Sequence, residues 1–165
     1  MKKIILSLSI LFLITGNVFS AGSSSSGGDS ESAKTKTNYE KAVAHIKVAK
    51  KHEKKGKLEK ANKRYVKAQN LLIKSNNKKP NDADTLNYLG FTTRKLGDFE
   101  NGEKYYLQGL AIDPNHKGIN EYLGELYVAT KRHNLAVERL EVLKSCNCEE
   151  YEQLKAVIAG QPSKY

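Results

Sequence analysis

In the second half of the chain, apolar positions recur three and four apart in short runs that stop and restart. Leu86, Leu89 and Leu96 make one stripe, and beyond Gly97 and Asp98 a second follows in Phe99, Tyr106 and Leu110. That spacing places side chains on one face of an α-helix, so the pattern predicts helix, turn, helix. Gly97 supplies the turn, and Asp98 is placed as N-cap of the second helix. Pro114, after Ile112 and Asp113, ends that helix and opens the next run. Tyr-Leu-Gly at 88–90 then returns at 122–124, 34 positions on. Gly90 and Gly124 fall where a first helix must let its neighbour approach closely. Two units follow from this, 83–116 and 117–147.

An earlier unit, 42–82, emerges when "GKLEKANKRYVKA" at 56–68 is set under "GDFENGEKYYLQG" at 97–109. Gly56, Leu58, Ala61, Tyr65 and Ala68 then occupy turn and core positions. Thr37 with Glu40 makes a capping box for its first helix, whose inward face is Tyr39, Ala42, Val43, Ile46 and Ala49. The offset of 41 exceeds the period by seven residues, so the second helix runs on toward Pro80, to roughly 20 residues and 30 Å. Residues 148–160 read as a closing helix. Glu149 and Glu150 suit its positive end; Leu154, Val157 and Ile158 cover the last open face; Gly160 stops it.

The 34-residue period, with Leu-Gly in the first helix, Phe99 after the turn and Pro114 at the end, resembles the tetratricopeptide repeat (TPR). The resemblance implies an all-α, TPR-type helix-turn-helix solenoid over 37–160: three helix pairs and a capping helix. Thr93 stands where the family has Tyr, and Gly102 and Gly109 stand where it has Ala. Each of those glycines is expected to loosen its helix by about 1 kcal/mol relative to Ala. From Leu86 to "CNCEEYEQLKAVIAG" the chain is similar to small exported TPR proteins of Gram-negative bacteria with two Cys after the last repeat, a group that implies no defined activity.

Before the repeats, Lys2 and Lys3 precede the apolar run "IILSLSILFLI", and Val18 and Ser20 fit a peptidase site, so 1–20 reads as a signal peptide. The run is shorter than the roughly 20 residues of a spanning helix. Residues 21–36, rich in Ser and Gly, read as a disordered linker. The expected location is periplasmic or secreted. Charge then divides the remainder: Lys34–Lys79 holds 16 Lys or Arg against three acidic residues, whereas Pro80–Tyr165 holds 10 against 13. Such asymmetry steers toward an acidic protein or an anionic membrane surface, unless it reflects composition alone. Export disfavours nucleic acid as the partner.

Reactive constellations are few. His45, His52, His116 and His133 sit in no recognisable motif. His45 and His52 are seven apart, about 10 Å along a helix, too far to share a metal without outside ligands. His116 falls at a junction between units. No cofactor is implied, and an enzyme is not expected. Cys146 and Cys148 read as a disulfide locking the last turn, with free or inter-chain thiols and a redox or metal role as alternatives. In TPR proteins the first helices line a concave groove. The corresponding positions here are Lys50 and Lys54; Asn87, Phe91, Arg94 and Lys95; then Glu121, Glu125 and Val128. Some relatives grip a peptide carboxylate with Lys and Asn, where this chain offers Glu121 and Glu125. The alternative for Arg94 is an exposed pair with either Glu, worth about 0 to 1 kcal/mol. The expected function is protein–protein interaction: a segment held in the groove, with the basic first unit docking an acidic partner.

Overall fold

The structure, a computed structural model, describes residues 35–164. The expected signal segment 1–20, and the linker up to residue 34, lie outside the described residues. Seven helices follow in order: α1 Asn38–Glu53, α2 Leu58–Lys78, α3 Ala83–Lys95, α4 Phe99–Ile112, α5 Lys117–Ala129, α6 His133–Leu143 and α7 Glu149–Ile158. There is no strand among the described residues. Helices pair as α1 with α2, α3 with α4 and α5 with α6; α2 packs on α3, and α7 on α5.

Local chemistry sets the boundaries. The hydroxyl of Thr37 accepts from the Glu40 N–H, and the Glu40 carboxylate accepts from the Thr37 N–H, so the capping box at α1 is closed. Asp82 and Asp98 cap α3 and α4 by accepting from the N–H of Thr85 and Asn101. At α5 the cap is a histidine: His116 Nδ1 accepts from Ile119 N–H at 3.1 Å. Gly97 turns the chain at φ 96°, a left-handed conformation that strains residues with a Cβ. α2 runs 21 residues and buries Ala61, Tyr65, Ala68 and Leu72 on one stripe. In α1, Ala42, Ile46 and Ala49 are buried, while Tyr39 and Val43 are half-buried at the edge of that face.

The first-helix glycines are points of closest approach. A Cβ on Gly90 would lie 2.5 Å from the ring of Tyr106 on α4. One on Gly124 would lie 2.5 Å from Leu154 of α7. In the third unit the first-helix glycine is thus seated by the capping helix α7, while α6 pairs with α5 as α4 pairs with α3. Gly102 and Gly109 correct the expectation of a loosened helix. A Cβ on Gly102 would crowd Gly90 O and Arg94 Cβ, at 3.2 and 3.3 Å, and one on Gly109 would meet the Ile119 side chain. The missing methyls draw α4 onto α3 and α5.

Gly90→Ala is accordingly expected to lower stability by about 1–3 kcal/mol through overpacking, even though Ala favours an isolated helix by about 1 kcal/mol. Urea unfolding reads this directly; an unchanged or higher midpoint would show that Tyr106 does not seat on Gly90.

Candidate functional site

The groove positions lie on α1, α3 and α5, with Lys54 as the C-cap of α1, and the structure brings most of them into one cluster. Phe91 is fully buried. Its ring packs edge-on to Tyr65 and against Tyr122, with centroids 5.9 and 4.9 Å away. Lys50 Nζ sits 4.6 Å from the Phe91 centroid and donates to the Tyr122 hydroxyl at 3.3 Å. A cation over an aromatic face is attracted by the ring quadrupole, more so when water is excluded.

Beside it, Arg94 Nη2 donates to Glu125 Oε2 at 2.9 Å, with side-chain exposures of 8% and 2%. This is a buried ion pair, not the weak exposed contact considered above. Lys95 pairs with Glu53, which also accepts from the Tyr65 hydroxyl at 2.7 Å. Lys54 is exposed and stands apart; Val128 is half-buried further along α5.

Placing Phe91 and Arg94 on an open wall is thus corrected: aromatic rings fill the space between α1, α3 and α5 and bury both. The chain also folds back on itself here. Gly160 reverses direction at φ 89°, and Ser163 donates to Glu125 Oε1 at 2.9 Å. In the sequence Tyr122 stands out only as part of the recurring Tyr-Leu-Gly, and Ser163 not at all. Tyr122 carried a signal, since it lies three residues before Glu125 on the same helix face; Ser163 carried none.

Two clefts open on this row, one at each end of the cluster. The first, about 460 Å³, lies between the N-terminal halves of α3 and α5 and is lined by Asn87, Glu121, Tyr88, Asp113 and Glu150 among others. The second, about 360 Å³, lies at the far ends, between Glu53, Lys95, Phe99, Val128 and Ser163.

Burial dominates the titration of the cluster. It pulls Lys50 down from an ordinary 10.5 to about 8, against the attraction of Glu121 and Glu125. It pushes Glu121 up from 4.5 to about 8, helped by the charges of Glu125 and Glu150. Folded Glu121 holds its proton where the unfolded chain has lost it, so its contribution to stability falls as pH rises from 4.5 to 8. Folded Lys50 loses its proton early, so stability recovers between 8 and 10.5. Thermal melts across that range are expected to dip near pH 8, and Glu121→Gln to flatten the acid-side limb. A melting temperature that climbs steadily from pH 5 to 8 would contradict this.

Outside the row, His52, Lys60, Lys63, Arg64 and Lys67 surround a basic hollow of about 230 Å³. Arg64 approaches the His45 ring at 3.2 Å, and burial, then Arg64 and Lys67, lower the His45 pKa. His133 opens α6 and is exposed. Cys146 and Cys148 are joined as a disulfide in the turn between α6 and α7, with Cα atoms 5.1 Å apart. No group of three or more His, Cys, Asp or Glu capable of holding a metal occurs among the described residues.

Two solved structures share this architecture. The type III secretion translocator chaperone SycD of Yersinia enterocolitica is 15% identical, with a TM-score of 0.52, over 72% of this chain and 86% of its own. The first TPR of Spaghetti (RPAP3), bound to the HSP90 peptide SRMEEVD, is 18% identical, with a TM-score of 0.51, over 74% of this chain and 97% of its own. No family model matches the sequence, and no curated protein matches it. The fold is TPR-type: an all-α solenoid of helix pairs.

Proposed function

We propose that the chain is a non-enzymatic, exported interaction module that holds a segment of another protein along the α1–α3–α5 row, while the basic α1–α2 pair docks an acidic surface of the same partner. The observation that carries this reading is the pair of clefts flanking a buried cluster, one of which keeps buried acceptors without donors. The two structural neighbours support it by analogy of fold: one is named a chaperone, and the other holds a peptide. Export rests on the N-terminal apolar run, and the acidic partner on the 16 cations of Lys34–Lys79.

The test is quantitative co-purification of the partner from cells expressing the tagged chain. Val128→Glu in the far cleft and Asp113→Lys at the rim of the near one are expected to reduce its recovery on the order of tenfold. Leu107→Glu, on an exposed position of α4, should leave it unchanged. Recovery lost with Leu107→Glu, or retained in both cleft variants, would overturn the proposal.

A second reading has one observation behind it. Val66 and Ile73 stand exposed on α2, between Lys63, Lys67 and Lys74, as in a helix resting on anionic headgroups. No helix among the described residues is long and apolar enough to cross a membrane. Co-sedimentation with phosphatidylserine vesicles that disappears at moderate salt would favour this reading.

A further inference from the structure

Glu121 Oε1 and Asn87 Oδ1 are both buried and both lack a hydrogen-bond partner, in side chains on residues only 3% and 6% exposed. A buried acceptor left without a donor is costly, more so when the group is charged. The two residues sit one repeat apart, at equivalent places on α3 and α5, and both line the near cleft. Asn87 Oδ1 can only accept, so what it lacks is a donor; Glu121, whose proton burial retains, accepts as well once a cation beside it favours the carboxylate.

The rim has the same polarity. Asp84, Asp113 and Glu150 line it, against Lys117 as its one lysine. His116 turns its Nδ1 to the Ile119 N–H, from which it accepts, and sets its Nε2 3.2 Å from Asp84 Oδ1. Tyr39, Tyr88 and Tyr122 complete the wall, offering aromatic faces to an alkyl stem or a cation.

We propose that this cleft takes the side chain of a lysine or arginine from the bound segment, its nitrogen donating to Glu121 Oε1 and Asn87 Oδ1 while the stem lies along the tyrosines. The proposal rests on the reading of the chain as a segment-binding module and specifies the chemistry of the segment. A guest suited to the whole protein is then of mixed charge: acidic where it meets α1–α2, and basic where it enters between α3 and α5. The peptide held by the Spaghetti domain, SRMEEVD, carries an arginine near its start, and only its acidic second half would meet like charge in this cleft.

Side-chain amide and carboxyl NMR of the full mature chain tests this with three blocked Ala/Gly peptides that differ only in a central Lys, Arg or Gln. The Lys and Arg peptides are expected to shift the Asn87 amide and the Glu121 carboxyl, with the Gln peptide weaker on the order of tenfold. Glu121→Gln, nearly isosteric, should weaken the Lys peptide by a similar factor while leaving the melting temperature at pH 7 within a few degrees. Asp113→Asn, on the open rim, should weaken it less, and n-butylammonium should bind more weakly than either peptide. Equal binding of the Gln peptide, shifts confined to other parts of the chain, or no shift with any peptide would overturn the assignment. Partner recovery retained in both cleft variants, alongside intact Lys-peptide binding, would instead overturn the reading of function and leave the cation site standing.

Discussion

Arg94→Ala lowers the unfolding free energy by about 3–5 kcal/mol, the range for removing one partner of a buried ion pair. The reason is what stays behind. Glu125 keeps 2% side-chain exposure and loses the guanidinium that faces one of its oxygens, so a carboxylate sits in low dielectric with only Ser163 donating to the other. Against a typical domain stability of about 5–15 kcal/mol, that is a large share of the total. The double variant Arg94→Met with Glu125→Leu separates charge from packing: with both ions replaced by apolar groups of similar volume it should recover most of the loss. Guanidinium unfolding of the three proteins checks this. An Arg94→Ala loss below about 1 kcal/mol would place the pair at the surface, as an exposed contact.

Leu154→Ala is the second large effect, with about 2–5 kcal/mol expected for emptying a fully buried leucine site. Leu154 is fully buried and seats on Gly124 of α5, so the cavity opens where the capping helix meets the last repeat. A solenoid unit buries its face only on its neighbours, and the consequence reaches past α7. Residues 161–164 follow α7 directly, and without its seat Ser163 leaves Glu125. Amide exchange should therefore quicken in α5 and α7 ahead of α1 and α2. Ile158→Ala, at a half-buried position, should lose less. Equal losses for the two leucine-to-alanine and isoleucine-to-alanine changes, with uniform exchange along the chain, would show that α7 is not the cap.

These two sites mark where the sequence was legible and where it was not. The helices could be read because each carries a three-four apolar stripe and because Gly97, Asp98 and Pro114 punctuate them. The length of α2 followed from a seven-residue offset, and the closing helix from Leu154 and Val157. His116 was placed at a junction but not as a cap, since a ring nitrogen accepting from Ile119 N–H depends on a tautomer that residue type alone does not reveal.

The inner row is hidden from the sequence for a different reason. Arg and Glu are rarely buried, so Arg94, Glu121 and Glu125 read as an open polar wall. Their burial depends on how closely α1, α3 and α5 approach, on the Phe91 and Tyr122 rings between them, and on a tail that returns from residue 160. None of these distances leaves a local period. The same holds for Gly102 and Gly109: helix propensity marks them as defects, whereas the approach of α4 to α3 and α5 makes them points of contact.

The most direct measurement is site-specific photocrosslinking in cells, with the crosslinker placed in turn at Tyr88 beside the near cleft, at Val128 beside the far cleft and at Leu107 on α4, followed by mass spectrometry of the adducts. The account predicts one partner crosslinked from both cleft positions and not from Leu107, through peptides of that partner that are close in its sequence. Adducts formed equally from all three positions, or from Leu107 alone, would contradict it.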